Sequence, residues 1–179
     1  MGQLGGLYLL GEDGEDLLIL DPHAAHERVL YEKLEERRKK GGPQSQMVLM
    51  TETLNFAPEY APLLDEAARA LEALGFELVR TGPRDLSVRA VPPEGTGRAP
   101  GALVRELVEG FGREGGAGPL EERIQKLVST AACRMAVMDG DRLAPEETEA
   151  ILRGLSAVEG AYTCPHGRPA AMRISRGDL

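Results

Sequence analysis

Two short apolar runs open the chain, at residues 7–10 and 17–20, and the polar segment Gly11-Glu12-Asp13-Gly14 separates them. This pattern predicts a β-hairpin. A helical pattern follows at once, because Ala25, Val29, Leu30 and Leu34 recur on one face. Asp21 suits the position before the helix and Pro22 its first position, where a missing N–H costs nothing. The pattern therefore predicts a helix from residue 22 to about residue 40, ended by Gly41-Gly42-Pro43.

The rest of the chain mixes strands and helices without strict alternation, which favours an α+β fold. Apolar segments at 47–50, 76–80, 86–91 and 170–175 predict strands, and periodic segments at 61–74, 103–111, 120–137 and 145–155 predict helices. Glycine-rich stretches near residues 42 and 118 are candidate hinges. We therefore expect two lobes, one discontinuous (1–50 and 120–179) and one inserted between its halves (51–119).

Candidate metal ligands lie at the two ends of this pattern. The chain contains only three His and two Cys, and four of these five residues lie in two short segments. The first segment is Asp21-Pro22-His23-Ala24-Ala25-His26-Glu27, and the second is Cys164-Pro165-His166-Gly167-Arg168-Pro169. Such use of scarce ligand residues predicts one metal site built from distant segments.

The spacing within each segment supports this prediction. His23 and Glu27 are four residues apart and therefore share a helix face, and Asp21 at the helix start can turn its carboxylate towards the same point. Cys164 and His166 can converge from a loop. Imidazole, carboxylate and thiolate together suit Zn²⁺ or Mn²⁺ better than Ca²⁺ or Mg²⁺.

Alternatives exist for single residues. His-x-x-x-Glu by itself is more often a surface pair, and His26 is expected to be exposed to solvent. Glu32 points about 140° away from Glu27 around the helix, so we expect it to pair with a nearby cation. Cys133 is either a further ligand or a small buried core residue.

Charge and composition exclude several classes of protein. The formal net charge is −8, whereas a protein that binds duplex DNA by itself normally offers many cations to the phosphates. No apolar stretch is long enough to cross a membrane, and no signal peptide opens the chain. Two distant cysteines do not form a disulfide framework, so they are thiols or metal ligands.

Three ordered motifs resemble those of the MutL family of DNA mismatch repair proteins. The segment from Asp21 to Glu32 resembles DQHAxxExxxxE, and the segment from Ala132 to Leu143 resembles ACRxAVxxGxxL. Residues 164–169 match CPHGRP letter for letter. Pro22 stands where the family usually has Gln, and Met138 stands where a Lys is common.

The resemblance implies that the chain is the C-terminal dimerisation and endonuclease domain of such a protein. Its dimerisation lobe would be residues 1–50 and 120–179, and its regulatory lobe would be residues 51–119. It implies a homodimer that nicks duplex DNA with one or two Zn²⁺ or Mn²⁺ ions. Asp21, His23 and Glu27 would be catalytic, and Asp21, His23, Glu27, Cys133, Cys164 and His166 would bind metal. Arg168 would contact phosphate or anchor its loop. The alternative is a non-enzymatic dimerisation module that zinc stabilises.

The resemblance also implies partners outside this segment. An ATP-binding N-terminal region would precede it, a short basic and aromatic tail would follow it, and DNA binding by the isolated segment would be weak. The full-length protein would act with the mismatch-recognition protein MutS, in the bacterial cytoplasm at the nucleoid. Residues Gln46, Met47, Val48, Leu49 and Met50 occupy the place of a sliding-clamp docking motif but lack its common proline, so the alternative is a plain apolar strand.

Overall fold

The computed structural model describes residues 2–41, 44–114, 118–138, 140–158 and 162–178, without the side chains of Asp13 and Glu114. The described residues form five α-helices and two antiparallel sheets. The α+β class predicted from the sequence is confirmed.

The chain divides into two units. Unit 1 consists of Met1–Glu32 and Ala136–Leu179, and unit 2 is Lys33–Met135. The lobes predicted from the sequence had their boundaries at residues 50 and 120 instead. Pairing and packing account for the difference, because strand β4 (Gln46–Asn55) pairs with strand β6 (Asp85–Val91), and helix α4 (Leu120–Met135) packs on helix α3 (Pro100–Glu114). The dimerisation and regulatory roles of the lobes remain predictions.

Unit 1 is built on a four-stranded antiparallel sheet in the order β1-β2-β3-β7. Its strands are β1 (Gly2–Leu4), β2 (Tyr8–Asp13), β3 (Asp16–Leu20) and β7 (Ala171–Ile174). The predicted hairpin is β2–β3, but its turn is shorter than expected because β2 continues through Asp13. Gly14 makes this tight turn possible, since its φ of +68° is a conformation that glycine adopts without strain.

Helix α1 (Pro22–Lys40) has the predicted bounds. Asp21 caps it, because its Oδ1 accepts a hydrogen bond of 2.9 Å from the Ala24 N–H, and its carbonyl accepts the first helical hydrogen bond from the Ala25 N–H at 2.9 Å. Gly41, with φ of +72°, follows its last residue. Local sequence signals therefore account for both ends of α1.

The core of unit 1 lies among the central strands, the start of α1 and helix α5 (Pro145–Ser156). Its buried residues are Leu9, Leu20, Ala24, Ala25, Val29, Ile151, Leu155, Cys164 and Ala170. Cys164 thus belongs to this core, although it is far in sequence from Leu9, Leu20 and the start of α1. The C-terminal segment is tied to the sheet by β7, which pairs with β3 from Leu17↔Ile174 to Leu20↔Ala171.

Unit 2 contains a three-stranded sheet in the order β4-β6-β5, where β5 is Glu77–Gly82. The predicted helix at 61–74 begins as a 3₁₀ turn at Pro58–Leu63 and becomes the α-helix α2 only at Leu64–Glu72. Pro62 accounts for this difference, because proline has no N–H for a helical hydrogen bond. Helix α4 ends at Met135 instead of the predicted residue 137. Among the described residues, no helix combines the length and apolar character needed to cross a membrane.

Candidate metal centre

Glu27 is the centre of the candidate site. It lies on α1 and is only 1% exposed, although a carboxylate is rarely buried without a partner. Its Oε1 contacts the His166 Nδ1, and its Oε2 lies 3.9 Å from the His23 Nε2. His23 precedes it by one helical turn, so both side chains leave the same face of α1. The predicted sharing of a face by these two residues is confirmed.

A tight hairpin at residues 162–170 brings the second motif to Glu27. The Gly167 N–H donates to the Cys164 carbonyl at 2.9 Å, and the Cys164 N–H donates to the Arg168 carbonyl at 2.8 Å. Pro165 suits the second position of such a turn, and Gly167 supplies the left-handed conformation that closes it, with φ of +83°. This turn directs Cys164 into the core, where it is 2% exposed, and leaves the His166 side chain 48% exposed.

The base of this hairpin is fixed to the start of α1. The Asp21 N–H donates to the Ala170 carbonyl at 3.0 Å, and the Ala170 N–H donates to the Tyr162 carbonyl at 2.7 Å. The residue before α1 and the residue after the Cys164 hairpin are therefore hydrogen-bonded neighbours. This contact explains how motifs at opposite ends of the sequence meet.

Glu27, Cys164 and His166 together have the chemistry of a metal site. One ligand atom from each lies within 4.8 Å of the other two. Ligands at the usual zinc bond lengths of about 2.0 to 2.3 Å stand up to roughly 4 Å apart around one ion, so a small adjustment would let one ion contact all three. A carboxylate, a thiolate and an imidazole are a donor set that zinc accepts and that calcium and magnesium do not favour. The residues present therefore fit a transition metal.

His23 is oriented to act as a further metal ligand. Its Nδ1 lies 2.6 Å from the Val137 carbonyl oxygen, and a carbonyl can only accept, so the ring nitrogen donates. In the neutral imidazole the Nε2, on the Glu27 side, is then the unprotonated nitrogen. A backbone carbonyl that holds the outer N–H of a histidine is the usual support of a metal ligand.

The other predicted residues have different surroundings. The Asp21 Oδ1 accepts the hydrogen bond that caps the helix, and Asp21 is not among the described residues whose ligand atoms are grouped around Glu27. Glu32 forms an ion pair of 3.0 Å with Arg28, so the expected pairing with a cation is confirmed. Arg168 is exposed on the hairpin. Cys133 is half-buried on α4, in unit 2. Both of its predicted roles, metal ligand and core residue, stay predictions.

The expectation that His26 is exposed is wrong. His26 is half-buried, and its Nδ1 accepts a hydrogen bond of 3.2 Å from the Val137 N–H. The sequence pattern did not predict this interaction, because His26 lies slightly off the helix face that His23 and Glu27 share. The spacing of His23 and His26, three residues apart, is the signal that could have predicted a shared partner.

A charged cluster secures the end of the β3–β7 pair in unit 1. The Asp16 Oδ1 accepts from the Arg176 N–H at 3.1 Å, and its Oδ2 accepts from the Arg173 Nε at 2.7 Å. The Arg176 backbone N–H and then the Arg173 guanidinium hold the pKa of Asp16 below its usual value. Strand β7, which follows the hairpin at residues 162–170, is thereby held to β3 by charged hydrogen bonds as well as by its backbone hydrogen bonds.

The chain is similar to one protein family over most of its length. Residues 1–143 match the family described as the MutL C terminal dimerisation domain. The chain is 36% identical over 179 residues to the DNA mismatch repair protein MutL of Xanthomonas campestris pv. campestris (strain B100), covering 100% of this chain and 29% of that protein. It is 35% identical to the MutL of Xylella fastidiosa (strain M12), covering 29% of that protein. It is 34% identical to that of Azotobacter vinelandii (strain DJ / ATCC BAA-1303), covering 28%.

These matches differ in what they cover. The chain spans less than a third of the length of these curated relatives. The Cys164 hairpin lies beyond the residues matched by the family, but it lies within the segment aligned to the relatives.

Proposed function

This chain belongs to the family of MutL C-terminal dimerisation domains, and we propose that it forms a homodimer with a latent, metal-dependent endonuclease site that nicks duplex DNA in mismatch repair. The observation that carries the proposal is the buried Glu27 carboxylate, which has an imidazole on either side and the Cys164 thiol beside it. Burial of an acidic side chain costs free energy that paired charges or an ion must offset, and a cation bound at Glu27 would offset it.

Within the site, Glu27, Cys164, His166 and His23 would hold one or two Zn²⁺ or Mn²⁺ ions. A divalent ion polarises a phosphate ester and lowers the pKa of a coordinated water. The other carboxylate oxygen of Asp21, Oδ2, would orient the attacking water or the ion, while Oδ1 caps the helix. Arg168, exposed on the same hairpin, would contact the phosphate or anchor its loop.

The second candidate is a dimerisation module in which zinc serves stability alone. It is favoured by the burial of Cys164, because thiolate ligands are typical of structural zinc sites. Both candidates predict zinc in the purified protein, and only the first predicts strand cleavage.

Nicking of supercoiled plasmid by the full-length protein separates the two candidates. Open circular DNA should appear with Mn²⁺ and should not appear when a chelator is added. Bound zinc without any nicking, with the sliding clamp present, would reject the endonuclease and leave the dimerisation module. Sedimentation of this chain should give a dimer at micromolar concentration, and a monomer would contradict both candidates.

DNA should reach this site through other parts of the assembly. The net charge of −8 repels the phosphates of DNA. Duplex binding by this segment should therefore be weak and should weaken further with salt. The ATP-binding N-terminal region, and MutS acting through it, would deliver the DNA in the bacterial cytoplasm. Tight binding by this segment at physiological salt would contradict this argument.

Strand β4 supports a further partner, the replication sliding clamp. Met47, Leu49 and Met50 are 68%, 105% and 83% exposed, although they are large and apolar. Because a plain core strand would bury alternate side chains, this exposure favours docking. Leu49→Ser should weaken clamp binding without lowering the zinc content, and unchanged clamp binding would leave β4 as a structural strand.

A further inference from the structure

Two histidines of α1 hold the same backbone residue of unit 1. The His23 Nδ1 donates to the Val137 carbonyl at 2.6 Å, and the Val137 N–H donates to the His26 Nδ1 at 3.2 Å. Both polar groups of the Val137 backbone are thus bonded to imidazoles three residues apart on one helix. No helical partner takes these bonds, since α4 ends at Met135.

The direction of each hydrogen bond fixes the tautomer of each ring. A backbone N–H always donates, so the His26 Nδ1 must be an unprotonated acceptor and its proton lies on Nε2. A carbonyl always accepts, so the His23 Nδ1 carries the proton and its Nε2 is unprotonated. The two rings therefore have opposite tautomers, and Val137 determines both.

We propose that His26 is a positioning residue for the metal centre: by accepting the Val137 N–H, it holds the carbonyl that orients His23 with Nε2 towards Glu27. The inference rests on the proposed metal site, in which His23 is a ligand. His26 itself contributes no ligand atom in this arrangement, because its Nδ1 accepts the Val137 N–H and its Nε2 carries the proton.

The neighbouring residues support this role. The Val137 side chain packs against the core cluster of unit 1. Beyond it, the Met138 N–H donates to the Asp141 Oδ2 at 2.8 Å, and the Gln3 Nε2 donates to the Asp141 carbonyl at 2.7 Å. Those bonds hold the segment to its own turn and to β1, whereas the bonds at Val137 join it to α1. Loss of the His26 acceptor would leave a half-buried N–H unpaired and free the carbonyl to move.

The test begins with the metal-free protein. Long-range ¹H–¹⁵N spectra of the imidazoles at one mildly alkaline pH report which nitrogen carries each proton, and the chain has only three histidines to assign. We expect the proton on Nδ1 in His23 and on Nε2 in His26. A proton on the His26 Nδ1 would overturn the inference without any variant.

Two substitutions then separate positioning from simple packing. His26→Leu removes the acceptor, whereas His26→Asn keeps one, because the asparagine Oδ1 is the same number of bonds from Cα as the Nδ1. In His26→Leu, His23 should lose its single tautomer, because the Val137 carbonyl is no longer held in place. Zinc affinity, measured against a competing chelator, should fall by up to roughly the 10- to 100-fold typical of a lost outer-shell partner. His26→Asn should restore both the His23 spectrum and most of the affinity.

Each result supports or overturns the inference. Wild-type affinity and a wild-type His23 spectrum in His26→Leu would overturn it, as would an Asn variant as impaired as the Leu variant. If His26→Leu does not fold, the wild-type tautomers and the Asn variant decide. A wild-type protein that binds no zinc would reject the metal site itself, and the tautomer spectra would still show whether Val137 holds the two rings as described.

Discussion

The substitution Glu27→Gln tests the metal centre most directly. Glu27 is 1% exposed, and its two oxygens face His166 and His23. Glutamine has the same size and can still form hydrogen bonds, but one of its two terminal atoms is an amide nitrogen that cannot bind a cation. The variant therefore removes the negative charge and one ligand atom while the packing stays the same.

The expected magnitude follows from ligand linkage. At free zinc equal to about 100 times the Kd, binding stabilises the folded state by about 2.7 kcal/mol. Removal of an outer-shell partner already costs 10- to 100-fold in affinity, so loss of Glu27, a proposed ligand, should cost at least about 100-fold. At the same zinc concentration the stabilisation then falls to about 0.4 kcal/mol.

These free energies correspond to a measurable change in melting temperature. In proteins of this length about 1 kcal/mol corresponds to roughly 2–4 °C. Zinc should therefore raise the wild-type Tm by about 5–11 °C and that of the Glu27→Gln variant by about 1–2 °C. Without zinc the variant should be at least as stable as the wild type, because a buried carboxylate no longer has to be desolvated.

Calorimetry in buffered zinc, at one protein concentration, measures both effects. Glu32→Gln is the matched control, since it makes the same chemical change on the same helix at a residue paired with Arg28. Its zinc-dependent rise in Tm should equal that of the wild type. A full zinc-dependent rise in Glu27→Gln would refute the assignment of Glu27 as a ligand.

Four other substitutions test separate features of the molecule. Asp21→Asn keeps the helix cap and should keep fold and dimer but abolish Mn²⁺-dependent nicking in the full-length protein; wild-type nicking would remove its catalytic role. Cys164→Ser should lower the zinc content found by metal analysis, and an unchanged content in Cys133→Ser would assign Cys133 to the core. Burial acts to raise the pKa of Glu94, but the Arg37 guanidinium, the Glu94 backbone N–H and the Lys33 charge together outweigh it and hold that pKa below its usual value. The Glu94–Arg37 pair stabilises the fold fully above about pH 4.3, and this stabilisation is lost as the pH falls through the folded-state pKa of Glu94. In a plot of the denaturation midpoint against pH, Glu94→Gln should therefore reduce the slope on the acid side. An unchanged slope would contradict this.

Sequence-local signals determined much of the fold. The bounds of α1 follow from Asp21, Pro22 and Gly41, which act within one or two turns of the helix they limit. The β2–β3 hairpin follows from two adjacent apolar runs. The motifs also predicted that His23 and Glu27 share a face, since helical periodicity alone requires it.

Only the tertiary structure decided which distant residues meet. Glu27 and His166 are 139 positions apart, and their contact depends on the β3–β7 pairing and on the Asp21–Ala170 hydrogen bond. No local pattern encodes such a bond, because its geometry depends on every element folded between the two residues.

The same reason explains two of the differences from expectation. His26 was predicted to be exposed, and its burial depends on Val137, 111 positions away. The limits of the units depended on the partners of β4 and α4, which lie further along the chain or earlier in it. The sequence by itself thus determined the elements, the motifs and the chemical types of the ligands, because these depend on neighbouring residues. The folded chain decided the contacts between them, because a long-range hydrogen bond forms only where packing brings both partners together.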